Sequence, residues 1–248
     1  MSAPGAVLFA SYAYPPNELG YCGPEGAAAM LDPVAVADIE RRARQFEGAW
    51  IYLEFLAETL GIADPLATEV VQAYWIGSDL LDGVDPAALV ERLEERFVGQ
   101  VGGTWRTARD RASAHHSFQV YEVYPWVGLL LEGRPPGPAV HVLDRCRIRV
   151  GEVTEVGDGT ATTRSRPLAW DGARLQPSAA VTEQSRWSVD GRNLIDRPAV
   201  GDLVALHWDW VCDVLTLEQA ACVTRLEERR LQAISDRAEV AAPAHPRP

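Results

Sequence analysis

The sequence predicts an α+β protein in which a helical N-terminal domain is followed by a small β-barrel and a C-terminal helix. Three observations carry this. Residues 24 to about 100 repeat their apolar positions with helical period between Asp-Pro pairs, a common helix-start signal. From residue 140 onward short β-prone runs alternate with the turn sequences GDG (157–159), WDGA (170–173), VDGRN (189–193) and VGD (200–202). Thr216-Leu-Glu-Gln219 then has the capping-box pattern that opens a helix, here expected to reach about Ile234.

Taken in order, Asp32-Pro33 is expected to start a helix through VAVADIERRARQF. GAWIYLEFLAETL aligns Trp50, Leu53, Leu56 and Leu60 on one stripe and stops at Gly61. Asp64-Pro65 and Asp85-Pro86 announce helices near 65–75 and 86–97. HSFQVYEVYPWVGLLL is rich in aromatic and β-branched residues, so a β segment is expected near 116–131. EGRPPGPA (132–139) reads as a linker, which divides the chain into a mainly helical domain (1–139), a barrel with its helix (140–235) and a disordered tail (236–248). The polar, turn-rich run over 170–195 reads as a long hairpin or loop on the barrel.

Composition narrows the function. The 248 residues are 47% hydrophobic with 8 Trp, as a folded protein requires. A net charge of −12 is a poor match to a phosphate backbone or an anionic bilayer, so neither nucleic acid nor a membrane is an expected partner. Every basic residue is Arg, which removes Lys as a Schiff base or general base. Four Cys without a C-x-x-C pair suggest neither a disulfide framework nor a structural zinc site. The N-terminus lacks the basic start of a signal peptide, and a cytoplasmic location with reduced thiols is expected.

Two stretches of the barrel half carry a resemblance. CRIRVGEVTEV (146–156) and VGDLVALHWDWVCDVLTLEQA (200–220) resemble the first strand and the last strand plus helix of the HypC/HupF hydrogenase assembly chaperones. The resemblance covers roughly 142–234. It implies an OB-like five-stranded barrel that carries an iron–cyanide–carbonyl unit to a [NiFe]-hydrogenase large-subunit precursor, or meets another maturation protein. The family's ligand Cys falls on Cys146 and its His on His207, which are thereby candidate iron and cofactor-binding residues. The resemblance thus implies an assembly chaperone rather than an enzyme. A thiolate and an imidazole are apt donors for such iron. Arg145 and Arg147 beside Cys146 are expected to favour its thiolate. The sequence departs from the family in placing the Cys internally, in Val150 where a Pro is usual, and in a longer gap between Cys and His.

A second segment, YCGPEGAAAML (21–31), is similar to the nucleophile segment of papain-like C39 cysteine peptidases. That resemblance implies a cysteine-dependent hydrolase or acyltransferase, with Cys22 at a helix N-terminus and His115 or His116 as base. Asn17 stands near where such enzymes usually have a Gln. Cys212 and Cys222 read as core or helix-face residues, and Trp208 and Trp210 as packing residues.

Overall fold

The computed structural model describes residues 4–98 and 103–241, with helices first, then a strand-rich region, then a long helix. Its first element is one the sequence pattern did not announce: α1 (Gly5–Glu18), apolar on nearly every side and buried accordingly. Pro15 and Pro16 lie inside it. Proline has no N–H, so the carbonyls of Ser11 and Tyr12, four residues earlier, receive no helical hydrogen bond. The Tyr12 carbonyl finds a use in the site.

Four helices follow: α2 (Val36–Ala43), α3 (Glu47–Leu60), α4 (Thr68–Trp75) and α5 (Pro86–Arg96). α3 ends at Gly61 as expected, with the left-handed φ of +68° that glycine allows. Asp85 caps α5 by accepting from the Ala87 N–H at 2.9 Å. The other two Asp-Pro pairs act differently. Asp32 and Asp64 accept from the N–H groups of Val34 and Leu66, closing turns, and the helices begin only at Val36 and Thr68.

The β segment expected near 116–131 is helical. It forms α6 (His116–Phe118), a π-helical turn over Gln119–Val123, and α7 (Trp126–Leu131). Phe118, Val120, Tyr121 and Val123 are fully buried in the apolar cores, and this packing overrides their β propensity. The expected linker is likewise a helix start. Pro136 takes the first turn of α8 (Pro136–Cys146), where a missing N–H costs nothing. The boundary placed between residues 139 and 140 therefore falls inside a helix, and Cys146 ends that helix instead of opening a strand.

The strands are β1 (Arg149–Val156), β2 (Thr160–Ser165), β3 (Leu168–Trp170), β4 (Leu175–Pro177), β5 (Val181–Arg186), β6 (Leu203–His207) and β7 (Trp210–Leu215). Five of them form a ring in the order β1-β2-β5-β7-β6, with β6 antiparallel to β1. The seam between β5 and β7 is a single parallel pair, Arg186 with Trp210, so the ring is a barrel only narrowly closed there. The 170–195 run is only partly an excursion. β3 and β4 make a separate hairpin, but β5 pairs with β2 from Thr160–Arg186 to Ser165–Val181 as a barrel strand.

α9 (Leu217–Ala241) closes the chain. Its capping box forms as expected: the Gln219 N–H donates to the Thr216 hydroxyl at 3.2 Å, and the Thr216 N–H donates to Gln219 Oε1 at 2.8 Å. The helix continues beyond Ile234 to Ala241, so residues 236–241 of the expected tail are helical, while 242–248 lie outside the described residues. One continuous apolar core runs from Phe9, Tyr12 and Trp75 of the helices to Trp210, Cys212 and Leu215 of β7. No helix among the described residues is long and apolar enough to cross a membrane.

Candidate functional site

The site forms where the last turn of α8 meets the barrel and the helical layer. A helix leaves its final carbonyls without internal partners, and here three of them bind other elements. The Cys146 carbonyl accepts from His116 Nε2 at 2.8 Å, the Arg145 carbonyl from the Trp208 N–H at 2.7 Å, and the Asp144 carbonyl from Arg149 at 3.5 Å. Arginines then tie this turn to the strands and to α9. Arg149, almost wholly buried, bonds both Glu183 oxygens at 3.0 and 3.1 Å and the Trp208 carbonyl at 2.9 Å. Arg147 pairs with Asp144 and Glu227 and reaches the Arg166 carbonyl. Arg145 pairs with Glu183.

These pairings correct the expectation that arginine neighbours ionise Cys146. The guanidinium charges are answered by Glu183, Asp144 and Glu227, while the thiol itself is buried in an apolar wall. Burial, with the nearby Cys22 adding to it, pushes the Cys146 thiol well above the ordinary range. The free thiol is therefore protonated at neutral pH.

His207 ends β6 and is completely buried. Its Nδ1–H donates to the Tyr12 carbonyl at 2.7 Å, the carbonyl that Pro16 leaves free in α1. That bond fixes the tautomer: Nε2 carries the lone pair. Nε2 is buried without a hydrogen-bond partner, the nearby Cys146 carbonyl being an acceptor itself. Trp208, which follows it in the β6–β7 turn, takes a φ of +56°, a left-handed value uncommon for an aromatic residue. The Tyr21 ring stacks on it at 4.2 Å.

The two adjacent histidines separate. His115 points away from the site. Its Nδ1 accepts from the Ser117 N–H at 3.1 Å and meets the Ser117 hydroxyl at 2.8 Å, capping α6. His116 points in, with Nε2 on the Cys146 carbonyl and Nδ1 3.2 Å from the Tyr74 hydroxyl. Burial lowers the pKa of His116 to about 4 against the opposing effect of the Cys146 carbonyl, and pushes His207 lower than its ordinary value. Both rings are neutral at pH 7. One donor atom from each of His116, Cys146 and His207 lies within 4.8 Å of the other two.

These residues wall a cavity of about 220 Å³. Its remaining lining is largely aromatic and apolar, from Phe46, Tyr74, Trp75, Tyr124, Trp126 and Trp208, together with Cys22 and half-exposed Tyr21. Cys22 is not at a helix N-terminus, as expected from its sequence, but in the bend ahead of a short 3-10 turn at Ala27–Leu31. Gly23, at φ +82°, lets that bend lie against Phe46, where a Cβ would meet the ring at 2.4 Å. Asn17 donates to the carbonyls of Cys22 and Pro24 at 2.8 and 2.7 Å. Its amide N–H groups are thus committed to the loop and not free to stabilise an oxyanion. Burial pushes the Cys22 thiol up to about 12.

The profile of DUF6390, described as a family of unknown function, matches residues 1–241. The chain belongs to DUF6390. No curated protein and no solved structure matches it.

In this DUF6390 chain, Cys146 and His207, which the resemblance paired, fall in one donor group, and Cys22 and His116 line the same cavity. His115 does not. What the residues alone did not join is His116 to Cys146 and His207, since the Cys146–His207 pair came from the barrel and His116 from the helical half. The signals for the supporting groups, Tyr12 and Tyr74, were Pro16 four residues after Tyr12 and an aromatic-rich α4; neither points to a site without the fold.

Proposed function

We propose that this protein is an accessory factor in the maturation of a [NiFe]-hydrogenase, which holds an iron–cyanide–carbonyl fragment as cargo and delivers it to the large-subunit precursor or to another maturation protein. The observation that carries this reading is the convergence of Cys146 and His207, from separate ends of the barrel region, on one apolar cavity. Sulfur and neutral nitrogen suit low-spin iron, and the donor group contains no carboxylate that would favour a hard cation. Apolar walls suit bound CO and keep water from an oxidisable fragment. In this role Cys146 gives its proton to solvent as the cargo binds, because the thiolate is the ligand. Tyr12 holds the His207 ring, and the arginine network holds the backbone of Cys146. Such work is cytoplasmic and needs neither nucleic acid nor a membrane.

The hydrolase reading has less support. The Cys22 thiol is held protonated, His115 lies elsewhere, and the partners of His116 are a phenol and a carbonyl instead of a carboxylate. A host carrying both this gene and a [NiFe]-hydrogenase tests the proposal. Deleting the gene should abolish large-subunit maturation, wild type should restore it, and Cys146→Ser should not. Full maturation in the deletion strain would overturn the role.

A further inference from the structure

Two donors leave a metal's position undetermined, and the helical half offers a third. His116 brings a ring nitrogen into the same 4.8 Å group as the Cys146 sulfur and the His207 nitrogen. We infer that His116, Cys146 and His207 form a three-donor N2S site for a divalent transition-metal ion of the zinc or cobalt kind, held by this chain alone, with the fourth position open to the cavity. The inference rests on the reading of this pocket as a metal holder, but it concerns a bare ion and a donor from outside the barrel.

Three features of the fold carry it. The lone pair of His207 Nε2 is buried and unpartnered, and the other ring nitrogen is tied to a backbone carbonyl, the arrangement that orients metal-binding histidines. His116 can free a nitrogen because the Tyr74 hydroxyl has a second acceptor, the Gly48 carbonyl at 3.4 Å. Turning to it leaves Nδ1 open, or lets Tyr74 receive a hydrogen bond from Nδ1–H when the proton moves there from Nε2. Lastly, the donors must close only a little, since usual zinc–sulfur and zinc–nitrogen lengths put tetrahedral donors roughly 3.5 Å apart.

The donor count separates this site from a structural zinc site, which closes four protein ligands around the ion. Cys22 shares the cavity but is not in the converging group, so the fourth position faces space that a small exogenous ligand can fill.

Titrating the purified full chain with Co(II) tests this. One equivalent should bind with a thiolate-to-cobalt charge-transfer band, and azide should then change the ligand-field bands by occupying the open position. Cys146→Ser should remove the charge-transfer band. His116→Gln, which keeps a hydrogen-bond donor for the Cys146 carbonyl, should weaken binding about tenfold or more. Exposed His141→Ala should change nothing. X-ray absorption on the wild-type cobalt complex needs no variant and should count one sulfur and two imidazoles. A single imidazole, unchanged affinity in folded His116→Gln, or no Co(II) bound by the folded wild-type chain would overturn the inference. Tight cobalt binding through all three donors in a protein dispensable for hydrogenase maturation would overturn only the maturation role. Maturation that needs Cys146, with cobalt affinity indifferent to His116→Gln, would overturn only the third donor.

Discussion

Cys146 and Cys22 line one cavity, yet the structure holds them in different ways. Cys146 sits on a helix end whose carbonyls are bound by three other elements and whose flanking arginines reach β5 and α9. Cys22 sits in a bend held chiefly by one asparagine side chain and by the absence of a side chain at Gly23. A raised thiol pKa therefore does not by itself rank two cysteines. Burial raises both, and what distinguishes them is which contacts hold the backbone beneath each. The Cys146 wall is a platform tied by charges and backbone bonds, and the Cys22 wall is a bend tied by an amide side chain.

The largest effect that would sharpen this contrast comes from removing Glu183. Glu183→Ala leaves Arg149 buried without its carboxylate, and breaking a buried pair from one side costs about 3–5 kcal/mol. Urea unfolding should show that loss. A change under about 1 kcal/mol would mean the platform is not held by its charges.

A pH effect should follow on the barrel side. Burial raises Asp213, bonded to the Tyr12 hydroxyl, from its ordinary 3.8 to about 6, against the smaller lowering effects of the Val214 N–H and Tyr12. A folded pKa above the unfolded one adds stability that is fully present below about pH 4 and is lost as pH rises through 6. Asp213→Asn should therefore flatten the stability profile between pH 4 and 7 and stabilise the protein at pH 7 by no more than about 3 kcal/mol. Thermal melts across that range read the slope directly; an unchanged slope would show that Asp213 ionises freely in the fold.

The smallest effect belongs to the Cys22 wall. Asn17→Ala removes two hydrogen bonds to loop carbonyls and should cost about 1–2 kcal/mol. It should speed alkylation of Cys22 while leaving Cys146 as slow as before. Equal acceleration at both thiols would erase the distinction between the walls.

How much of this was legible beforehand follows the same division. The barrel half, the capping box at Thr216 and the Gly61 stop are local signals, and they hold. Cys146 and His207 could be paired because a resemblance supplied the pairing. The stretch from Phe118 to Val123 was misread because its side chains are buried on all sides, where strand and helix share one apolar pattern. The helix at Pro136 was misread because proline marks both linkers and first helical turns. The role of His116 was out of reach for a plainer reason. It depends on a contact across the chain with the Cys146 carbonyl, and no local pattern encodes that.

The proposed role has Cys146 hold an iron fragment bearing CO and cyanide. Infrared spectroscopy of the protein purified without oxygen from a hydrogenase-producing host reads such a fragment without any added probe. The account expects stretching bands of iron-bound CO and cyanide in the wild-type chain and their loss in a folded Cys146→Ser variant. A wild-type chain without such bands from a host whose hydrogenase is fully matured, or equal bands in the variant, would contradict it.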